Sequence, residues 1–174
     1  MTDLRIGKLP DGLVGPTRAL LDRAFGGEFT EEDWDHAVGG VHAVLVDEGV
    51  VLAHASVVSR SIRVDGRWYE AGYLEAVACD PDRHGHGLGS QVVDAVTDVI
   101  RDRDELGVLS TGAHAFYERL GWTRWQGTSW VLDGGGLHRT AADDDALMVL
   151  RTDGSADLRT DGEIACLARP GDDW

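Results

Sequence analysis

The sequence predicts an α+β (mixed α/β) domain with a central sheet, and three observations predict it. Strand-sized apolar runs in the first half follow one another through Gly- and Asp-marked turns. Segments with helical spacing of apolar residues flank that meander. The order of elements is helices, an antiparallel meander, then strand–helix–strand–helix, which fits helices packed on a sheet. A chain of 174 residues suits one domain, 1–174, with a real core.

The elements follow in order. Pro16–Phe25 carries Leu20, Leu21 and Ala24 at helical spacing, and Thr30-Glu31-Glu32-Asp33 opens a second short helix with a capping pattern. His42–Val46 and Val50–Ser59 are strands joined at Asp47-Glu48-Gly49, and Arg60–Val64 pairs through Asp65-Gly66 with Arg67–Ala78. Gln91–Ile100 is an amphipathic helix with Val92, Val93, Val96, Val99 and Ile100 on one side. A short strand at Val108–Ser110, a helix at Ala113–Leu120 and two or three more strands complete the chain.

Composition narrows the function classes. The 31 Asp and Glu outnumber the 16 Lys and Arg, a net charge of −15, and every Lys or Arg but Lys8 is arginine. Such a surface repels nucleic acid and anionic membrane and attracts cations, so it is either general solubilising charge or a cleft for a polycationic substrate. No apolar run reaches the ~18–20 residues of a membrane span. The N-terminal Met1-Thr2-Asp3-Leu4-Arg5 has no apolar signal region, so neither membrane nor secretion is expected. Two cysteines, Cys79 and Cys166, make no disulfide framework, and a reduced cytoplasmic setting is the expectation. A homodimer is compatible with the sequence.

The segment richest in chemistry is Tyr73–Gln91. An apolar strand ends at Asp80-Pro81, and Arg83-His84-Gly85-His86-Gly87-Leu88-Gly89 feeds into the amphipathic helix. Alternating glycines remove side chains where backbone N–H groups converge, and a helix N-terminus adds open donors and its positive dipole end. That combination suits a pyrophosphate. Ser90 stands where a Rossmann fingerprint needs its third glycine, and no Gly-Lys-Ser/Thr follows as in a P-loop. His84 and His86 lack the Cys or carboxylate cluster of a metal site, so no metal is expected. Glu75 interrupts an otherwise apolar strand, where a carboxylate is costly unless it has a partner or a function.

His84-Gly85-His86-Gly87-Leu88-Gly89 resembles the acetyl-CoA loop of the GNAT superfamily, Gln/Arg-x-x-Gly-x-Gly/Ala, with His84 where Gln or Arg is usual and Arg83 alongside. Phe116-Tyr117-Glu118-Arg119-Leu120-Gly121-Trp122 resembles the Phe-Tyr-x-x-x-Gly-Phe segment of the same family. More narrowly, five segments are similar to the actinobacterial aminoglycoside 2′-N-acetyltransferases. They are Gly26–Trp34, Gly39–Ala43, Gly72–Ala78, Thr140–Asp145 and Gly171–Trp174. The resemblance implies a GNAT fold, a mostly antiparallel sheet flanked by helices, with acetyl-CoA as cosubstrate and a cationic aminoglycoside as acceptor. It implies that Val77 pairs through its backbone with the pantetheine arm. It also implies that Glu28, Asp33, Glu75, Asp144, Asp172 and the carboxylate of Trp174 hold the acceptor's ammonium groups.

The reaction then expected is direct acetyl transfer in a ternary complex. Glu75 is the general base, through a water, and Tyr117 the general acid toward the CoA sulfur, while backbone N–H groups near Val77 hold the oxyanion. Ser110 and Thr111, at a strand end, either contact the acceptor or cap the next turn. Cys79 is not expected to carry an acyl group. The competing readings are a GNAT enzyme for another amine, such as a polyamine or a protein N-terminus, and a silent acyl-CoA-binding module.

Overall fold

In the computed structural model, which describes residues Met1–Trp174, the chain opens on a strand that its composition does not announce, β1 (Thr2–Gly7). The chain divides into two units, Met1–Val58 with Leu74–Asp98, and Ser59–Tyr73 with Val99–Trp174.

The first unit begins with β1, then α1 (Asp11–Ala24) and α2 (Glu31–Val38). Helix α1 starts before the expected Pro16, which lies inside it. The reason is packing: Leu13 is buried with Leu9, Leu20, Leu21, Trp34, Val44 and Val46, so the apolar stripe extends a turn ahead of the proline. At α2 the predicted capping box forms, with Asp33 N–H donating to Thr30 Oγ1 (3.1 Å) and Thr30 N–H to Asp33 Oδ2 (2.8 Å). Strand β2 (Val41–Asp47) then pairs antiparallel with both β1 and β3 (Val50–Val64), with a bulge between Leu45 and Val46.

Turns decide where these strands reverse. Glu48-Gly49 (φ +48° and +83°) links β2 to β3, and Asp65-Gly66 (+48° and +84°) links β3 to β4 (Arg67–Cys79). Two consecutive left-handed residues make the type I′ geometry that matches strand twist. The sequence reading split β3 at Ser59, but the backbone runs on unbroken; what changes there is burial, from Val51–Val57 fully buried to a half-exposed alternation beyond. The first unit is thus ordered β1-β2-β3-β4, followed by a 3₁₀ turn (Pro81–Arg83) and helix α3 (Leu88–Arg103).

In the second unit the order is β6-β9-β5-β4-β3-β10-β7-β8. Its remaining elements are β5 (Leu106–Ser110), α4 (His114–Glu118), β6 (Thr123–Arg124), β7 (Thr128–Asp133), β8 (Gly136–Arg139), β9 (Leu147–Arg151) and β10 (Glu163–Leu167). The pairs β4/β5 and β10/β7 are parallel; β5/β9, β6/β9, β7/β8 and β10/β3 are antiparallel. The mixed, mostly antiparallel α+β architecture is the predicted one. Its close packing shows at Gly107, where an added Cβ would lie 2.8 Å from Leu150 Cβ and 3.0 Å from the Trp122 ring. No helix is long and apolar enough to cross a membrane.

Candidate active site

The first unit carries the loop that the sequence singles out. Gly85 and Gly87 have φ of +81° and +72°, and a Cβ on either would meet nothing within 4 Å. Backbone conformation, not crowding, is what selects glycine there. Helix α3 begins at Leu88, three residues ahead of the predicted Gln91, so its open N–H groups belong to the glycine loop itself. Arg83, His84, Gly85, His86 and Gly87 are exposed, and Leu88 and Gly89 half-buried. His86 Nδ1 lies 3.0 Å from the Arg83 carbonyl and 3.1 Å from that of His84, which ties the loop to itself. Neither histidine joins a group of three or more His, Cys, Asp or Glu placed for a metal. Backbone donors, a dipole end and an adjacent guanidinium remain, and they suit a pyrophosphate.

Glu75 and Val77 are half-buried on β4 at either side of Ala76, whose φ of +52° is left-handed. A non-glycine residue rarely adopts this conformation, and here it falls within β4 between Glu75 and Val77. His54 Nδ1 lies 2.7 Å from the Ala76 carbonyl oxygen. Burial holds the Cys79 thiol above its ordinary value, which disfavours the nucleophilic thiolate. Two more predicted acids lie in this unit. Glu28 is exposed after α1, and Asp33 is half-buried, one of its oxygens already serving the α2 cap.

The second unit holds the other predicted residues. Tyr117 is buried on α4, edge-on to Phe116 (centroids 4.9 Å apart) and Trp122 (6.4 Å). Burial pushes its phenol up to about 12, so the hydroxyl stays protonated and able to donate. Ser110 is exposed at the end of β5, and Thr111 Oγ1 accepts from Ala113 N–H (2.9 Å), a capping contact. Asp144 is committed to the fold. Its Oδ1 accepts from Ser129 N–H (2.7 Å), Ser129 Oγ (2.7 Å) and Arg139 Nη1 (2.6 Å), and its Oδ2 from Arg139 Nη2 (2.5 Å). These bonds, Arg139's foremost, hold its carboxyl far below the ordinary carboxylate range.

Asp143 is the opposite case. Burial first, then Asp172, Asp173 and Asp144, raise its carboxyl above the ordinary value. Nothing within Asp143-Asp144-Asp145 as a sequence says which of the three acids the fold engages. Asp172 is exposed, while Trp174 is buried and its indole Nε1 donates to Thr140 Oγ1 (3.2 Å). Asp173 Oδ1 accepts from Arg169 N–H (3.0 Å), and the Asp172 carbonyl from Arg169 Nε (2.7 Å). Acids of two segments therefore lie close enough for Asp172 and Asp173 to add to the burial that raises Asp143.

Over residues 16–122 the sequence matches the acetyltransferase (GNAT) family, and the chain belongs to it. It is an acetyl-CoA-dependent N-acetyltransferase. An aminoglycoside 2′-N-acetyltransferase of Mycolicibacterium fortuitum is 42% identical over 161 residues, 90% of this chain and 83% of the relative. Among solved structures, the GNAT family N-acetyltransferase YhbS of Escherichia coli in complex with CoA superposes with a TM-score of 0.67 at 20% identity, over 95% of this chain and 89% of that one. A probable N-acyltransferase of Enterococcus faecalis V583 gives 0.60 at 17% identity over 71% of this chain, which spans only 33% of that longer protein. The two structures share the fold.

Proposed function

We propose that the protein transfers the acetyl group of acetyl-CoA to the 2′-amino group of an aminoglycoside. What supports this reading is the placement of Asp172 and Asp173 beside Asp143, where they add to the burial that raises its carboxyl and where a polyammonium ligand would offset their charge. The 42% identity to an aminoglycoside 2′-N-acetyltransferase favours that acceptor over other polycations. Acetylation turns an ammonium into a neutral amide, so the product loses a charge that a drug's anionic target would bind. Drug resistance in the cytoplasm is the corresponding role.

The chemistry needs a deprotonated amine, a polarised thioester carbonyl and a stabilised leaving sulfur. Glu75, half-buried beside the left-handed Ala76 of β4, takes the amine proton through a water. Backbone N–H groups near Val77 hold the oxyanion. Tyr117, protonated across the neutral range, donates to the departing sulfur. The Arg83–Gly89 loop holds the pyrophosphate, and Glu28, Asp33 and Ser110 supply the outer contacts to the acceptor.

The test is a panel of amines with acetyl-CoA, followed by release of free thiol. A 2′-amino aminoglycoside should react and its matched 2′-hydroxyl analogue should not. Reaction with both, or with a linear polyamine in preference, refutes the assignment.

A further inference from the structure

His42 and His54 are 1% and 0% exposed, and they lie side by side in a chain that ends on two carbonyls. His42 Nε2 is 3.0 Å from the Val38 carbonyl oxygen, His42 Nδ1 is 2.8 Å from His54 Nε2, and His54 Nδ1 is 2.7 Å from the Ala76 carbonyl oxygen. Carbonyl oxygens only accept, so three bonds need three ring protons, whereas two neutral imidazoles carry two. Burial pushes His54 down to about 4 and lowers His42 as well. The influences on His54 besides burial are the Ala76 carbonyl and His42, and on His42 the Val38 carbonyl; no carboxylate is among them. Both rings are therefore neutral near pH 7, and one of the three contacts goes without a proton.

The distances say which. The contact to Val38 is the longest, and Val38 closes α2 at 40% exposure, where a helix-end carbonyl can turn to water. The contact to Ala76 is the shortest, and it falls at the left-handed residue of β4. His54 then carries its proton on Nδ1 and accepts at Nε2 from His42 Nδ1–H. A non-glycine residue held left-handed is strained and persists only where its surroundings enforce the conformation. The His54 bond is one such constraint, directed at the carbonyl between Glu75 and Val77.

We propose that His54, oriented by His42, is a positioning residue for acetyl transfer: its Nδ1–H pins the Ala76 carbonyl and so fixes the backbone that carries Glu75 and Val77. This rests on the roles given to those two residues under the proposed function. The first measurement does not depend on them. In protein labelled with 15N-histidine, long-range 1H–15N correlation reads the tautomer of each ring, and His54 should show a protonated Nδ1 and a bare Nε2. A proton on Nε2 instead overturns the proposal in the unaltered protein, whatever the variants do.

The second measurement compares two substitutions. In His54→Asn the amide N–H sits near the Nδ1 position and can still reach Ala76; in His54→Gln it sits near Nε2 and can reach only His42. Turnover should stay within about threefold of the parent for Asn and fall roughly ten- to a hundredfold for Gln, the loss expected of reacting groups displaced by about an ångström. Melting temperatures of the two variants should agree within a few degrees. Equal turnover in the two variants overturns the proposal. Should Glu75→Gln retain normal turnover, the role given to Glu75 falls, while the tautomer and the Asn–Gln difference still decide what His54 does.

Discussion

Replacing Asp143 and Asp144 one at a time should separate an acid that binds from an acid that holds the fold. Asp144→Ala removes the acceptor for Ser129 N–H and Oγ as well as the Arg139 pair. Arg139 and Asp144 side chains are 33% and 24% exposed, so the ion pair itself contributes little; Ser129 Oγ keeps its bond to the Thr140 carbonyl, and the cost lies in the orphaned Ser129 N–H. Ser129 is fully buried, and losing its partner costs about 1–2 kcal/mol, or roughly 2–8 °C in Tm for a chain of this size. The stability from Asp144 is complete above its ordinary carboxyl value of 3.8 and is lost as the pH falls below that. Asp143→Asn should instead leave Tm unchanged or raise it, since it removes a repelled charge. One lost charge contact of about 1 kcal/mol raises the aminoglycoside KM roughly fivefold. The sign of the pH response follows. The free protein holds the Asp143 proton above the ordinary value of 3.8. A polycation favours its release, so the parent's KM should rise as pH falls through that titration, and the variant's should rise less. Differential scanning fluorimetry and steady-state kinetics read both effects. A larger KM effect from Asp144→Ala, with Tm unchanged, would falsify the division of roles.

Four further outcomes are expected. Glu75→Gln should lower kcat/KM by ~10²–10⁴-fold with acetyl-CoA affinity unchanged by calorimetry; normal turnover would remove Glu75 as base. Tyr117→Phe keeps the ring packing against Phe116 and Trp122, so Tm should hold while kcat falls, and an unchanged kcat leaves only a packing role. The aminoglycoside KM should rise with salt more steeply than that of acetyl-CoA, since screening weakens exposed carboxylate contacts; equal slopes count against an acidic cleft. Gly107→Ala should destabilise by about 1–3 kcal/mol, because its Cβ lands on Leu150 and Trp122, and a neutral melting curve would contradict that packing.

What the sequence made legible was local. The capping box at Thr30, the Glu48-Gly49 and Asp65-Gly66 turns and the amphipathic face of α3 each follow from a few adjacent residues. Pro16 misled because its local signal, a helix start, was overruled by tertiary burial of Leu13. The short strand β6, like β1, carries too little alternation to read. At the site, the glycine loop was legible because its backbone demand is written in residue type. The choice among Asp143, Asp144 and Asp145 was not, since it depends on Arg139 and Ser129 reaching across from neighbouring strands. The histidines show the same limit. The exposed His84 and His86 invite a ligand reading, whereas His42 and His54 look like polar interruptions of apolar strands until the structure brings them to Val38 and Ala76.

The arrangement of acids also bears on which polycation fits. Asp143 belongs to the turn after β8, and Asp172 and Asp173 to the segment that ends in Trp174. The buried indole joins these two segments through Thr140, and Arg169 gathers the second of them through Asp172 and Asp173. The backbone that carries these acids is therefore tied down at Thr140, Asp172 and Asp173. A preorganised anionic set favours a ligand whose ammonium groups are equally fixed, because each freely rotating side chain or linker that binding immobilises costs roughly 0.5–1.5 kcal/mol. A linear polyamine meets that cost along its length, while the rings of an aminoglycoside have met most of it in their covalent structure. Net charge alone attracts both, and beyond the ~8 Å screening length it attracts neither strongly. On the proposed reading, discrimination comes from the spacing of a few close carboxylates, and the Thr140–Trp174 bond ties together the two segments that carry them.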